Sequence, residues 1–138
     1  VRLAVELEIV RNACAIWDTR SAEILERNLD KQQDAIDADQ PEKFHALDYA
    51  FHKLICDLGG SPLAVETIRE CKQKVDRLCK LSFGREREAS ILLEDHRKLA
   101  RALSDGEAER ATIIVREHLG RLDEIMAGIR DNHSDYFE

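Results

Sequence analysis

The 138-residue sequence predicts an all-α fold, an antiparallel helical bundle, and three observations support it. Apolar residues recur at spacings of three and four along most of the chain, which is the period of an amphipathic helix. No segment shows the two-residue alternation of a half-buried strand. Only two prolines and six glycines interrupt the chain. At this length we expect one domain that is large enough to bury a real core.

Six helices are predicted, and most of their boundaries follow from local signals. Pro41 is suited to a first helical turn, and Gly59-Gly60 and Ser104-Asp105-Gly106 are helix stops. The first four helices are predicted at residues 2–18, 21–38, 42–58 and 61–84. The fifth carries Leu92, Leu99 and Leu103, and the sixth carries Ala111, Ile114, Leu122, Ile125 and Ile129. In the first helix, the apolar stripe that predicts the buried face is Leu3, Leu7, Val10, Cys14 and Trp17.

Composition excludes several classes of function for this domain. A net charge of −7 argues against binding of DNA or an acidic membrane by the domain itself. No apolar run approaches the roughly 18 residues of a membrane span, and the start does not resemble a signal peptide. The start at Val1, within a helical pattern, indicates a fragment of a longer protein. The cysteines form no close pair, and we interpret Cys14, Cys71 and Cys79 as small core residues of a cytoplasmic protein.

Four ionisable residues occupy positions where the helical pattern calls for apolar ones. Asp48 and His52 are four residues apart in LDYAFHKLI, so they lie one above the other on a core-facing arc. His96 interrupts the leucine stripe of the fifth helix, and His118 lies in the middle of the apolar seam of the sixth. Burial of such groups without partners costs several kcal/mol, so each of them needs a partner.

Two interpretations of these residues remain open from spacing alone. Each histidine can be bonded separately inside the core, or the three imidazoles and Asp48 can converge on one metal ion. The tight turn between the last two helices favours convergence, because His96 and His118 lie within about one helical turn of the same level. His45, one turn before Asp48, is a reserve ligand. The lone Glu42-x-x-His45 pair does not make a di-iron site, which needs two such pairs. The sequence contains no His-Glu-x-x-His, no glycine-rich phosphate loop and no Gly-x-Ser-x-Gly.

Taken in order, these motifs resemble the ligand-binding domain of GntR-type transcriptional regulators of the FadR class, often called the FCD domain. The resemblance rests on Asp48-x-x-x-His52 in ALDYAFHKLI, His96 in EDHRKLARALSDGEAERA and His118 in REHL. The opening VRLAVELEIVRNACAIWD also resembles the first helix of that domain, which commonly starts Arg-x-x-x-Glu; here these residues are Arg2 and Glu6. The resemblance covers essentially residues 1–138.

The resemblance implies an effector-sensing bundle of six or seven helices around a central metal and effector cavity. Asp48, His52, His96 and His118 would bind a divalent metal: zinc, or else nickel or manganese. A small organic acid would complete the coordination, with Arg2 as a carboxylate-binding residue. The resemblance also implies a homodimer that is not an enzyme. It would contact DNA only through a winged helix-turn-helix domain that precedes the bundle and is absent from these 138 residues.

Two alternatives from other classes remain. One is a small metal-dependent hydrolase that uses the same Asp/His₃ site, because an open metal position can activate water. The other is a metal-free helical interaction domain whose histidines are only bonded within the core. Metal analysis distinguishes the second alternative from the sensor, and a screen for hydrolytic turnover distinguishes the first.

Overall fold

The computed structural model describes residues 2–59, 69 and 86–132, and in these ranges the chain forms a helical bundle. The helices are α1 (Arg2–Ile16), α2 (Thr19–Asp37), α3 (Pro41–Leu58), α4 (Glu86–Ser104) and α5 (Ala108–Asn132). The predicted all-α class is confirmed, and no strand occurs in these ranges. The described part holds five of the six or seven predicted helices. The helix predicted at 61–84 lies outside it, except for Arg69, which is helical.

The five helices enclose a single core. α2 packs against α3 and α4, α4 packs against α5, and α1 packs against α5 and α3, so the contacts form a closed ring. Large apolar side chains from three of the helices fill the centre: Leu25, Leu29, Phe44, Phe51 and Leu103. Side chains that project inward from α3, α4 and α5 therefore meet one another inside the ring. In the described ranges, no helix combines the length and apolar content that a bilayer crossing requires.

Several predicted helix ends are confirmed, whereas the boundary between the first two helices is displaced by two residues, with α2 beginning at Thr19 and not at Ser21. Pro41 begins α3 and Gly59 follows its last residue. The turn after α4 closes on Gly106, whose φ of +68° is favoured by glycine. The first helix was expected to reach Asp18 but ends at Ile16. The reason is that Asp18 caps α2 instead, and its Oδ1 accepts a 2.7 Å hydrogen bond from the backbone N–H of Ser21.

The buried face of α1 overlaps its predicted apolar stripe but extends to a polar residue that the stripe omits. Val10 of the stripe is buried, and Leu7, Cys14 and Trp17 pack against the core. Leu3 is 36% exposed, whereas Glu6 is only 5% exposed. The buried face carries Glu6, Ile9, Val10 and Ala13. The helix is thus turned so that the Glu6 carboxylate reaches the interior, where it contacts His52.

The two described cysteines behave as core residues. Cys56 is fully buried, and burial together with the nearby carboxylates of Glu6 and Asp57 raises its pKa to about 12. Cys14 packs at the edge of the core, and burial raises its pKa as well. Both thiols are neutral at pH 7 and therefore weak nucleophiles. Cys71 and Cys79 lie outside the described residues.

Gly59 allows the end of α3 to approach α1 closely. A Cβ atom at this position would lie 2.8 Å from the carbonyl oxygen of Ile55 and 3.1 Å from Cβ of Ala13. We expect Gly59→Ala to lower the free energy of unfolding by about 1–3 kcal/mol, because backbone atoms must shift to admit the methyl group. Chemical denaturation measures this change.

Gly120 provides a matched control on α5. A Cβ atom there would meet nothing within 4 Å. We expect Gly120→Ala to raise the free energy of unfolding by about 0.5–1 kcal/mol, since alanine loses less backbone entropy in a helix. A Gly59→Ala protein as stable as the Gly120→Ala protein would contradict the close packing of α1 on α3.

Candidate metal centre

Three of the predicted residues form a cluster in the centre of the bundle. His52 of α3, His96 of α4 and His118 of α5 are all buried. One ring nitrogen from each lies within 4.8 Å of the other two. Their ring centroids are separated by 5.3 Å (His52 and His96), 5.8 Å (His52 and His118) and 5.1 Å (His96 and His118). The three imidazoles thus meet side chain to side chain.

Asp48, the fourth predicted residue, borders two of these imidazoles. Its Oδ1 lies 3.2 Å from Nε2 of His52 and 3.1 Å from Nε2 of His96. The distances suit hydrogen bonds but the directions do not, and within the described residues neither Nε2 atom has a hydrogen-bond partner. Two nitrogens and a carboxylate oxygen therefore point toward a common region without bonding to one another.

The opposite ring nitrogen of each histidine contacts an oxygen from another helix. Nδ1 of His52 lies 3.3 Å from Oε1 of Glu6 on α1. Nδ1 of His96 lies 2.8 Å from Oε1 of Gln32 on α2, and Nδ1 of His118 lies 3.1 Å from Oδ2 of Asp95 on α4. Oxygen acceptors at Nδ1 fix the ring orientation and direct Nε2 inward, which is the usual outer arrangement of histidine ligands.

The partners of these outer oxygens extend the network. Gln32 donates from Nε2 to Oδ1 of Asn28 at 2.6 Å, and Asn28 donates from Nδ2 to the backbone carbonyl of Leu47 at 3.0 Å. Arg121 donates from Nε to both carboxylate oxygens of Asp95, at 3.1 and 2.9 Å.

The protonation of the cluster reflects burial and the adjacent carboxylates. Burial lowers the pKa of His96 to about 4 despite the nearby Asp48, so this imidazole is neutral at pH 7. Burial also acts to lower the pKa of His52, but the carboxylates of Asp48 and Glu6 outweigh it and the net pKa is raised. Burial acts to raise the pKa of Asp95, yet the hydrogen bonds from His118 and Arg121 hold it below its usual value.

The donor set fits a divalent metal of intermediate softness. Imidazole nitrogens with one carboxylate oxygen suit zinc and nickel better than magnesium or calcium, which prefer oxygen. In a tetrahedral zinc site, two nitrogens bound at about 2.0–2.1 Å lie about 3.3–3.4 Å apart. The ring nitrogens of the cluster lie within 4.8 Å of one another, so they would move closer by up to about 1.5 Å to bind one ion.

Two other predicted residues have different outcomes. Arg2 begins α1, but its side chain lies outside those that the structure describes. His45, the reserve ligand, is half-buried and contacts the edge of the Phe44 ring at a centroid distance of 5.8 Å. It does not belong to the histidine cluster formed by the described residues.

A surface cleft lies away from the histidine cluster. It is an open cleft of about 440 Å³ between α2 and α4, bordered by Glu23, Glu26, Arg97 and Arg101. None of the three clustered histidines lines this cleft. The cleft and the histidine cluster are therefore separate features of the bundle.

Five residues of the network were not assigned a role from the sequence: Glu6, Asn28, Gln32, Asp95 and Arg121. Signals for some of them were present. Asn28 and Gln32 interrupt the apolar stripe of α2 between Leu25 and Ile36, the same kind of anomaly that identified His96. Arg121 follows His118 by three residues and so shares its helix face.

Comparisons with known proteins point to one family. The family model of the FCD domain matches residues 1–121. The chain is 31% identical over 137 residues to the HTH-type transcriptional repressor RspR of Escherichia coli strain K12, across 99% of this chain and 60% of that protein. The uncharacterized HTH-type transcriptional regulator YdfH of Shigella flexneri matches with the same identity and coverage.

A more distant relative belongs to the same class. An uncharacterized HTH-type transcriptional regulator of Streptomyces ambofaciens is 28% identical over 96 residues, across 70% of this chain and 41% of that protein. The chain spans about 60% of the length of the first two relatives.

Proposed function

This chain belongs to the FCD domain family, and from that membership we propose that it is the effector-sensing domain of a helix-turn-helix transcriptional regulator. In this proposal the domain binds a divalent metal, zinc in the first place, and a small organic acid that modulates DNA binding by an attached domain. The regulator names of the relatives favour this function over an enzyme.

The observation that carries the proposal is the orientation of the three imidazoles. Oxygen atoms of Glu6, Gln32 and Asp95 contact Nδ1 of His52, His96 and His118 respectively. Nε2 of His52 and Nε2 of His96 then border Asp48, and one ring nitrogen of His118 lies within 4.8 Å of a ring nitrogen of each. A core that only satisfied isolated histidines would not need to direct three of them at one another.

The charges around the cluster also support a cation. Among the described residues, three carboxylates and one guanidinium contact the imidazoles or their partners: Glu6, Asp48, Asp95 and Arg121. A divalent ion bound by Asp48, His52, His96 and His118 would lie close to these carboxylates and be attracted by them in a region from which water is excluded.

The effector would bind at the same place. Four protein ligands leave one or two coordination positions on a six-coordinate ion for an anionic oxygen. We propose Arg2 as a second contact for the carboxylate, since a charge-assisted hydrogen bond is strong in a region from which water is excluded. The effector changes DNA binding only if it binds two states of the regulator with different affinity, and we propose that these are states of a homodimer.

The test begins with metal analysis of the purified protein. We expect close to one equivalent of zinc or nickel per chain, removed by a chelator and restored by zinc. The metal-loaded and metal-free proteins are then heated with a panel of hydroxy acids and dicarboxylic acids. An effector should raise the melting temperature only when the metal is present.

Each result decides between functions. The proposal of a metal-dependent sensor would be contradicted if the protein contains no stoichiometric metal and its melting temperature does not change on addition of zinc or nickel. Metal-dependent hydrolysis of ester or amide substrates would instead favour the hydrolase. If an acid stabilises the metal-free protein as much as the metal-loaded protein, the acid does not bind through a metal at the histidine cluster.

A further inference from the structure

We propose that Gln32 is a positioning residue that holds His96 with its proton on Nδ1, and that the backbone carbonyl of Leu47 fixes this choice through Asn28. The consequence for metal binding rests on the function proposed above. The tautomer itself does not, because it is determined by contacts within the protein.

The relay is the series of hydrogen bonds that joins the Leu47 carbonyl, Asn28, Gln32 and His96. The carbonyl at one end determines which group donates in each of these bonds. A backbone carbonyl can only accept a hydrogen bond, so the Asn28 atom 3.0 Å from the Leu47 carbonyl must be the amide nitrogen. The side-chain oxygen of Asn28 therefore faces Gln32, and the atom that Gln32 presents at 2.6 Å must be its own amide nitrogen.

The same reasoning extends to the imidazole. With its nitrogen directed at Asn28, Gln32 presents its oxygen to Nδ1 of His96 at 2.8 Å. An amide oxygen accepts but cannot donate, so Nδ1 must carry the hydrogen. The Leu47 carbonyl thus fixes the orientation of both amides and of the imidazole proton.

The relay gives His96 a single role at the cluster. A neutral imidazole with its proton on Nδ1 has a lone pair on Nε2. That lone pair faces Oδ1 of Asp48 at 3.1 Å, which is a repulsive arrangement between two electron-rich atoms. A cation between them turns the repulsion into attraction, and the ring needs no change of tautomer to bind it.

Gln32 is well placed for this role because its surroundings are rigid. Its side chain has no exposed surface, and Asn28 is 6% exposed and His96 1%. Phe51 stacks on the ring of His96 at a centroid distance of 4.4 Å, which restricts rotation of the ring. Glu6 and Asp95 contact the other two histidines as carboxylates, whereas Gln32 supplies an acceptor without adding a buried negative charge.

The experiment compares three substitutions. Gln32→Met keeps length and removes the hydrogen bonds. Gln32→Glu keeps an acceptor for His96 and loses only the donation to Asn28. Gln33→Met is the matched control, because Gln33 is adjacent and contacts Arg97 across the same α2–α4 interface. Nitrogen-15 NMR of the histidine rings reports the tautomer in metal-free protein, with the His96 signals assigned by their loss in His96→Gln. Competition with a chromophoric chelator measures zinc affinity.

We expect the wild type, Gln32→Glu and Gln33→Met to carry the proton of His96 on Nδ1. Gln32→Met should show a mixture of tautomers and bind zinc about 10- to 100-fold more weakly, the usual effect of losing an outer partner. Gln32→Glu should stay within about tenfold of the wild type, and it tests the proposal even if Gln32→Met fails to fold.

A proton on Nε2 of His96 in the wild type would overturn the inference whatever the zinc result. So would an unchanged tautomer and affinity in Gln32→Met, or a loss in Gln32→Glu as large as that in Gln32→Met. If the wild type carries the proton on Nδ1 but does not bind zinc, the relay is supported and the proposed metal-dependent function is contradicted.

Discussion

Replacement of His52 by glutamine is expected to weaken zinc binding by about 10²- to 10³-fold. Structural zinc sites with four ligands bind with about 10–16 kcal/mol, so one ligand accounts for roughly 2.5–4 kcal/mol, or two to three powers of ten. Glutamine retains polarity and much of the side-chain volume, which limits damage to the core around Phe51. Competition with a chelator of known affinity measures the change.

His45 provides the control for this substitution. It lies on the same helix, two turns before His52, but outside the histidine cluster of the described residues. His45→Gln should therefore bind zinc with wild-type affinity. Equal losses in the two variants would mean that α3 contributes to binding through its stability, and that His52 is not a ligand.

A second large effect is expected on thermal stability. Zinc at 100 times its dissociation constant should add about 2.7 kcal/mol to the free energy of unfolding, because it binds only the folded chain. For a protein of this size, that corresponds to an increase in melting temperature of roughly 10 °C. Scanning calorimetry of chelated and zinc-loaded protein measures the shift.

The same zinc concentration should stabilise His52→Gln by less than about 0.4 kcal/mol, given the loss of affinity above. Magnesium serves as the control ion, since it prefers oxygen ligands and should leave the melting temperature unchanged. A magnesium effect as large as that of zinc would be the evidence against an imidazole site.

The sequence was sufficient to predict the all-α fold and the residues that meet at its centre. Histidines within leucine stripes are conspicuous, because the 3.6-residue period fixes which positions face inward. Because the connection at Gly106 is short, His96 and His118 could be predicted to lie within about one helical turn of each other along the bundle axis. The convergence of the three imidazoles could therefore be predicted from the sequence, whereas their role as metal ligands remains a prediction.

The outer partners were harder to identify for a physical reason. The apolar stripe of α1 does not include Glu6, yet the helix buries this residue against His52. A residue whose burial is justified only by a contact with a distant helix leaves no local signature. Asp95 is similar, since its partners His118 and Arg121 both lie on the following helix.

The span of the cluster along the chain has a consequence for folding. Its contacts join Glu6 near the beginning of the described chain to His118 near the end, through helices that are distant in sequence. Such an arrangement is complete only when the whole ring of helices has closed, so an ion would enter after the folding barrier has been crossed. We therefore expect zinc to slow unfolding and to leave the refolding rate nearly unchanged. The ion would stabilise the completed bundle without directing its assembly.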